Sequence, residues 1–149
     1  MEQDKIEAVV LAAVQTLYQE EIGILKLDVA ERTICGRLAS ILQRSFSGHA
    51  VHTEYNRHGT DPKELELPNA EGVPTFMRVY PDIVVHQPGH DDENLIVMEI
   101  KKTTNSTTDG ADLMKLEQIK YQIGYDFAAF LRLPSGPEAD PANVRVTWV

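Results

Sequence analysis

The chain has 149 residues, of which 42% are hydrophobic and 25% charged, and its formal net charge is −9. That length suits one domain, 1–149, with a core of its own, and the composition is that of an ordinary globular protein. The acidic balance excludes a protein that grips nucleic acid by bulk positive charge, so any such contact must be local, metal-assisted or shared with a partner chain. A lone cysteine, Cys35, rules out an internal disulfide and fits a reducing, cytoplasmic compartment. The start "MEQDKIEAVV" lacks the positive region of a signal peptide, and no apolar run approaches the roughly 20 residues of a membrane helix, so no membrane contact is expected.

Residues 2–20 place Ile6, Val9, Val10, Ala13, Val14 and Leu17 at helical spacing and predict an extra N-terminal amphipathic helix ahead of a core spanning 28–149. A second helix follows in "DVAERTICGRLASILQRSF". Asp28 and Glu31 have capping-box spacing there, Ile34, Leu38, Ile41 and Leu42 form an apolar stripe, and Gly48 is a candidate terminator. "AVHTEYNR" predicts a first strand with Val51, Thr53 and Tyr55 on one face and His52, Glu54 and Asn56 on the other. Residues 57–76, broken by Gly59, Pro62, Pro68, Gly72 and Pro74, predict a long connection with room for one helical turn. Two strands, "YPDIVVH" and "NLIVMEIKK", come next, joined by "QPGHDDEN". After a polar loop, "ADLMKLEQIKYQIGYDFAAFLRL" carries a helical period through Leu113, Leu116, Ile119, Ile123 and Phe127, and "VRVTWV" predicts a last strand. The expected order is α, α, β, β, β, α, β: an α/β (α+β) domain whose mixed central sheet is flanked by helices.

Three charges interrupt the two strand-like runs: Asp82, Glu99 and Lys101. A buried charge is costly unless it is paired or binds a metal. A symmetric hairpin register sets His86 opposite Leu95 and Asp82 opposite Glu99, where two carboxylates repel unless a cation lies between them. Lys101, two residues beyond Glu99, shares its face. Two hard oxygen ligands beside an ammonium suit phosphodiester hydrolysis with Mg²⁺, and Mn²⁺ fits the same ligands.

Pro81-Asp82, followed 17 residues later by Glu99-Ile100-Lys101, resembles the PD-(D/E)xK signature of the restriction-endonuclease-like nuclease superfamily. The stretches "ERTICGRLA", "EYNR", "PDIVVH" and "NLIVMEIKK" also resemble small uncharacterised stand-alone bacterial proteins of that superfamily. The resemblance implies a restriction-endonuclease-like core over residues 28–149. It also implies Asp82 and Glu99 as metal ligands, Lys101 as the catalytic lysine and Glu31 as an additional ligand. Some exonuclease-like branches carry Gln-x-x-x-Tyr on the following helix. Gln118 with Tyr121 and Gln122 with Tyr125 have one residue fewer between them, so that branch is not assigned and Gln122 stays a substrate-side candidate.

Each candidate has a plainer rival. Asp82, Glu99 and Lys101 could be an ion-pair cluster or an inherited site without activity, although such pairs bring little net stability. Glu31 is explained equally by the third position of a capping box. Glu54 could approach the metal or pair across strands, and Arg57, Lys102 and Lys115 could touch phosphates or simply be surface. His86 and His90 read as turn residues, Tyr121 and Tyr125 as core packing, and Cys35 as a small packing residue.

The sequence therefore points to a metal-dependent nuclease, endo- or exonucleolytic, acting on DNA before RNA. The rival from another class is a non-catalytic binding or regulatory module on the same fold, or an effector that needs a protein partner for targeting. Homodimerisation is compatible with the chain, with "RVTWV" as an edge strand open to pairing.

Overall fold

The computed structural model describes residues 2–149. Helix α1 (Gln3–Lys26) lays Ile6, Val10, Ala13, Val14 and Leu17 against helix α2 (Glu31–Gln43), which answers with Ile34, Leu38, Ile41 and Leu42. By length and composition alone α1 is apolar enough to cross a membrane, a test that a core helix also passes. Here its apolar stripe is spent on the core.

Strands β1 (Ala50–Thr53), β6 (Ile83–His86), β7 (Ile96–Lys102), β8 (Phe127–Leu133) and β9 (Arg145–Trp148) form one sheet in the order β1-β6-β7-β8-β9. Only β7 and β8 run parallel, joined over the sheet by helix α3 (Gly110–Ile119) and a π turn (Lys120–Gly124). Two small antiparallel pairs lie outside this sheet: β2 (Arg57–His58) with β3 (Asp61–Pro62), and β4 (Glu64–Pro68) with β5 (Pro74–Arg78). Alternation divides the core. Ile83, Val85, Ile96, Met98 and Ile100 face α1 and α2, whereas Val84 and Val97 join Leu65, Leu116 and Ile119 on the opposite side. The architecture is thus a mixed α+β domain, with a mixed sheet between two helices on one face and α3 on the other.

Several expectations are corrected. The helix predicted to run on to Leu133 stops at Gly124, whose φ of +93° closes the π turn, and the apolar run after it is the inner strand β8. Residues 57–76 hold two short strand pairs and no helical turn. Glu54 adopts φ +52°, which ends β1 early and carries Tyr55 to the side of His52, with ring centroids 5.4 Å apart. The capping box does not form. Asp28 takes φ +54°, and its carboxylate accepts from Ser135 Oγ (2.8 Å) and Thr104 Oγ1 (2.9 Å), while Glu31 opens the helix one residue after Ala30.

His86, expected in a turn, is a buried strand residue. Its Nε2 shares a proton with Nδ1 of His52 at 2.9 Å, and its ring meets Tyr55 edge-on. Burial, then the neighbouring His52 and Lys63, lowers its pKa to about 4. Below this cluster Lys63 is 1% exposed, donates to Tyr125 Oη at 2.6 Å and lies over the Tyr55 and Tyr125 rings. Burial lowers its pKa to about 8, against the opposing pull of Asp91.

The folded chain therefore carries a charged buried lysine at neutral pH, a cost removed as pH rises from about 8 to the ordinary value of 10.5. Replacing both members of the hydrogen bond (Lys63→Met with Tyr125→Phe) leaves no orphaned polar group. The double variant is expected to melt a few degrees above the parent at pH 7, with the margin narrowing between pH 8 and 10.5. A melting temperature below the parent's at pH 7 would show that the cation–π contacts outweigh the desolvation.

Candidate metal centre

The β6–β7 hairpin pairs Ile83 with Met98, Val84 with Val97 and Val85 with Ile96. Carried one step on, this register sets Asp82 across from Glu99. Asp82 stands at the mouth of β6, half-buried, and its Oδ2 accepts the Ile100 N–H at 2.8 Å. A side-chain oxygen thus takes a donor that an extended ladder would have used, which fixes the carboxylate at the end of the strand.

Glu99 is the unusual member. It is 5% exposed, lies between β6 and β8, and faces α3. Lys115 Nζ, from α3, stands 2.6 Å from its Oε1. The angles there are not those of a hydrogen bond, so Oε1 is a buried oxygen with an ionic neighbour and no proper donor. Burial, then the charge of Asp82 and a hydrogen bond to it, pushes the Glu99 pKa up to about 8, with Lys115 pulling the other way. Glu99 is thus far harder to ionise than an ordinary glutamate.

Lys101 shares the Glu99 face, as expected from the period of a strand, but its ammonium is engaged elsewhere. It pairs with Asp112 of α3 and donates to the Thr108 carbonyl at 3.2 Å. The lysine that reaches Glu99 is therefore Lys115, fourteen residues further on, which sequence reasoning kept only as a phosphate candidate. No spacing rule links the two, because the contact depends on how α3 crosses the sheet.

The remaining candidates separate. Glu31 and Glu54 line, with Arg32, Cys35, Thr53 and Asp82, a cavity of about 250 Å³ beside the pair. Oε2 of Glu31 accepts the Lys102 N–H (2.9 Å) and the Asn105 amide (3.2 Å), and Glu54 pairs with Arg32 at 3.2 Å. Cys35 registers this acidic surrounding: burial first, then Asp82, Glu31, Glu99 and Glu54, drives its thiol pKa far up. Arg57 lies exposed on β2. Two substrate candidates are engaged within the protein. Lys102 Nζ ties the α1–α2 link through Asp28 Oδ1 (3.1 Å) and the Val29 carbonyl (3.0 Å). Gln122 bridges the Glu66 N–H (2.8 Å) and C=O (3.0 Å), closing the outer side of β4.

Among the described residues no three His, Cys, Asp or Glu side chains are grouped to hold a metal. A pair of carboxylates still meets what Mg²⁺ asks of a protein, which is one or two carboxylates with water and substrate oxygens completing the shell. The Oε1 of Glu99 fits that demand, since it is a buried carboxylate oxygen with an ammonium beside it but no well-angled donor.

No family model and no curated protein matches the chain. Among solved structures, the crystal structure of SSO0001 is similar at 16% identity and a TM-score of 0.49, over 94% of this chain. The chain spans 65% of the length of that molecule.

Proposed function

We propose that the chain is a metal-dependent nuclease of the PD-(D/E)xK type, hydrolysing phosphodiester bonds of nucleic acid, DNA before RNA. The observation that carries this reading is the facing pair Asp82 and Glu99, with a buried glutamate oxygen that has no hydrogen-bond donor. The succession α2, β1, β6, β7, α3, β8, with the small strand pairs as insertions and β9 appended, supports the restriction-endonuclease-like core implied by the resemblance.

In this reading Asp82 and Glu99 hold Mg²⁺ or Mn²⁺, and Glu31 borders the cavity as an additional acid. When bound, the cation supplies Lewis-acid polarisation of the phosphate and a lowered pKa for the attacking water. The protein supplies position: the Ile100 N–H aims Asp82, and β6, β8 and α3 keep Glu99 away from bulk water. Ammonium groups on the same face offset the charge that develops on phosphate oxygens.

The binding-module reading draws on two observations, the pinned Lys101 and the net charge of −9. Incubation with linear, circular, single-stranded and branched DNA and with RNA, in Mg²⁺, Mn²⁺ or EDTA, separates them. Cutting that needs metal is the expected result. Absence of cutting on every substrate, together with no Mn²⁺-induced rise in melting temperature, rejects the nuclease. Metal binding without cutting favours a module or an effector awaiting its partner, a second copy paired through the edge strand β9 included.

A further inference from the structure

We infer that Lys115, rather than Lys101, is the ammonium serving the Asp82–Glu99 pair, and that it rests on Glu99 as a stand-in for the cation, yielding that oxygen when a divalent metal binds and turning to the substrate phosphate. The inference rests on the nuclease reading and deepens it by naming which lysine acts and when.

The two lysines differ in what holds them. Lys101 has an ion pair to Asp112 and a hydrogen bond to the Thr108 carbonyl, and its side chain is 12% exposed. Its donors are committed to the protein. Lys115 has its ion pair to Glu99 at 2.6 Å and a side chain 34% exposed, so its head lies between the buried carboxylate and solvent. A lysine carries its charge on four flexible carbons and can swing while its backbone stays in the helix.

The oxygen it touches explains the arrangement. Two carboxylates facing across a hairpin repel unless a proton or a positive charge lies between them. Glu99 Oε1 lies under β6, β8 and α3 without a well-angled donor, so its neighbour is held by charge alone. Lys115 supplies that charge in the metal-free chain. Once the pair is neutralised by a divalent cation, the ammonium is repelled from the oxygen, and its open side is the one substrate must approach. The lysine is delivered only when the metal is in place.

The test follows the lysines themselves. The full chain is acetylated with a water-soluble N-hydroxysuccinimide ester in EDTA and in Mg²⁺, with site rates read by mass spectrometry. Mn²⁺ affinity is measured by calorimetry alongside, for the parent, Lys115→Met, Lys101→Met and Glu99→Gln. Lys115 is expected to react several-fold faster in Mg²⁺ and Lys101 at an unchanged rate. In Glu99→Gln, Lys115 should react fast under both conditions. Lys115→Met is expected to bind Mn²⁺ roughly tenfold more tightly than the parent, because a competitor is gone, whereas Lys101→Met should stay within about threefold. Metal binding to the parent without a change at Lys115 overturns this inference and leaves the nuclease reading standing, as does equal tightening in both lysine variants. No Mn²⁺ binding by the parent or by Lys115→Met overturns both.

Discussion

Asp82→Ala is expected to lower metal-dependent cleavage by roughly a thousandfold or more, the scale set by losing several kcal/mol of metal-derived stabilisation in the transition state. The same variant should lose the rise in melting temperature that Mn²⁺ brings to the parent. Its metal-free stability should change little. The Ile100 N–H loses its acceptor, which costs something, but the repulsion between Asp82 and the buried Glu99 disappears with it. Asp82→Asn keeps an oxygen for the Ile100 N–H and removes only the charge, so it should fold as well as the parent and still fail to cut. Cleavage by Asp82→Ala at a tenth of the parental rate or better would take Asp82 out of the ligand set.

Glu99→Gln should raise stability while being as harmful to activity. In the folded chain Glu99 keeps its proton up to about pH 8, against an ordinary value of 4.5. Between those limits the folded state binds more protons than the unfolded one, so stability falls as pH rises through the window. Glutamine cannot ionise and escapes that loss. The advantage of the variant in EDTA should be absent near pH 4.5, grow through neutrality and be complete above pH 8. A gain on the order of 2–4 kcal/mol remains after the ion pair with Lys115 is given up, or roughly 5–10 °C in melting temperature. Thermal melts from pH 4.5 to 9 check this directly. A variant that melts below the parent at pH 8.5 would mean that the Glu99–Lys115 pair is a structural bond and not a site held at a cost.

The pairing of Asp82 with Glu99 was legible because a hairpin of β-branched residues admits few registers, and a one-residue slip would turn every apolar side chain to the wrong face. Strand β8 was not. Ala128, Ala129, Phe130 and Leu131 are buried on both sides of the sheet, so the run shows no alternation, and its apolar spacing continues that of α3. The signal available was Gly124, a residue suited to ending a helix, three positions before a seven-residue strand. Lys102 and Gln122 looked like substrate contacts because their charge and amide had no visible use; the structure employs them on backbone groups of distant segments. Glu31 looked like part of a cap because it comes three positions after Asp28, yet the left-handed turn at Asp28 breaks that geometry. The position of Lys115 was hidden for the same reason: the path of the crossover is a property of the whole sheet, not of a local pattern.

The parallel pairing of β7 with β8 makes this site non-transferable. A peptide covering residues 79–102 would contain both carboxylates and could keep their register, but Glu99 in it would be an ordinary solvated acid. Its seclusion comes from Phe130, its partner on β8, and from α3, segments that reach it only after the chain has crossed over the sheet. Grafting the hairpin onto another scaffold would move the carboxylates and leave the seclusion of Glu99 behind. What the fold contributes is a strand supplied from outside the motif, so sequence comparisons confined to the motif will keep finding carboxylates that do nothing.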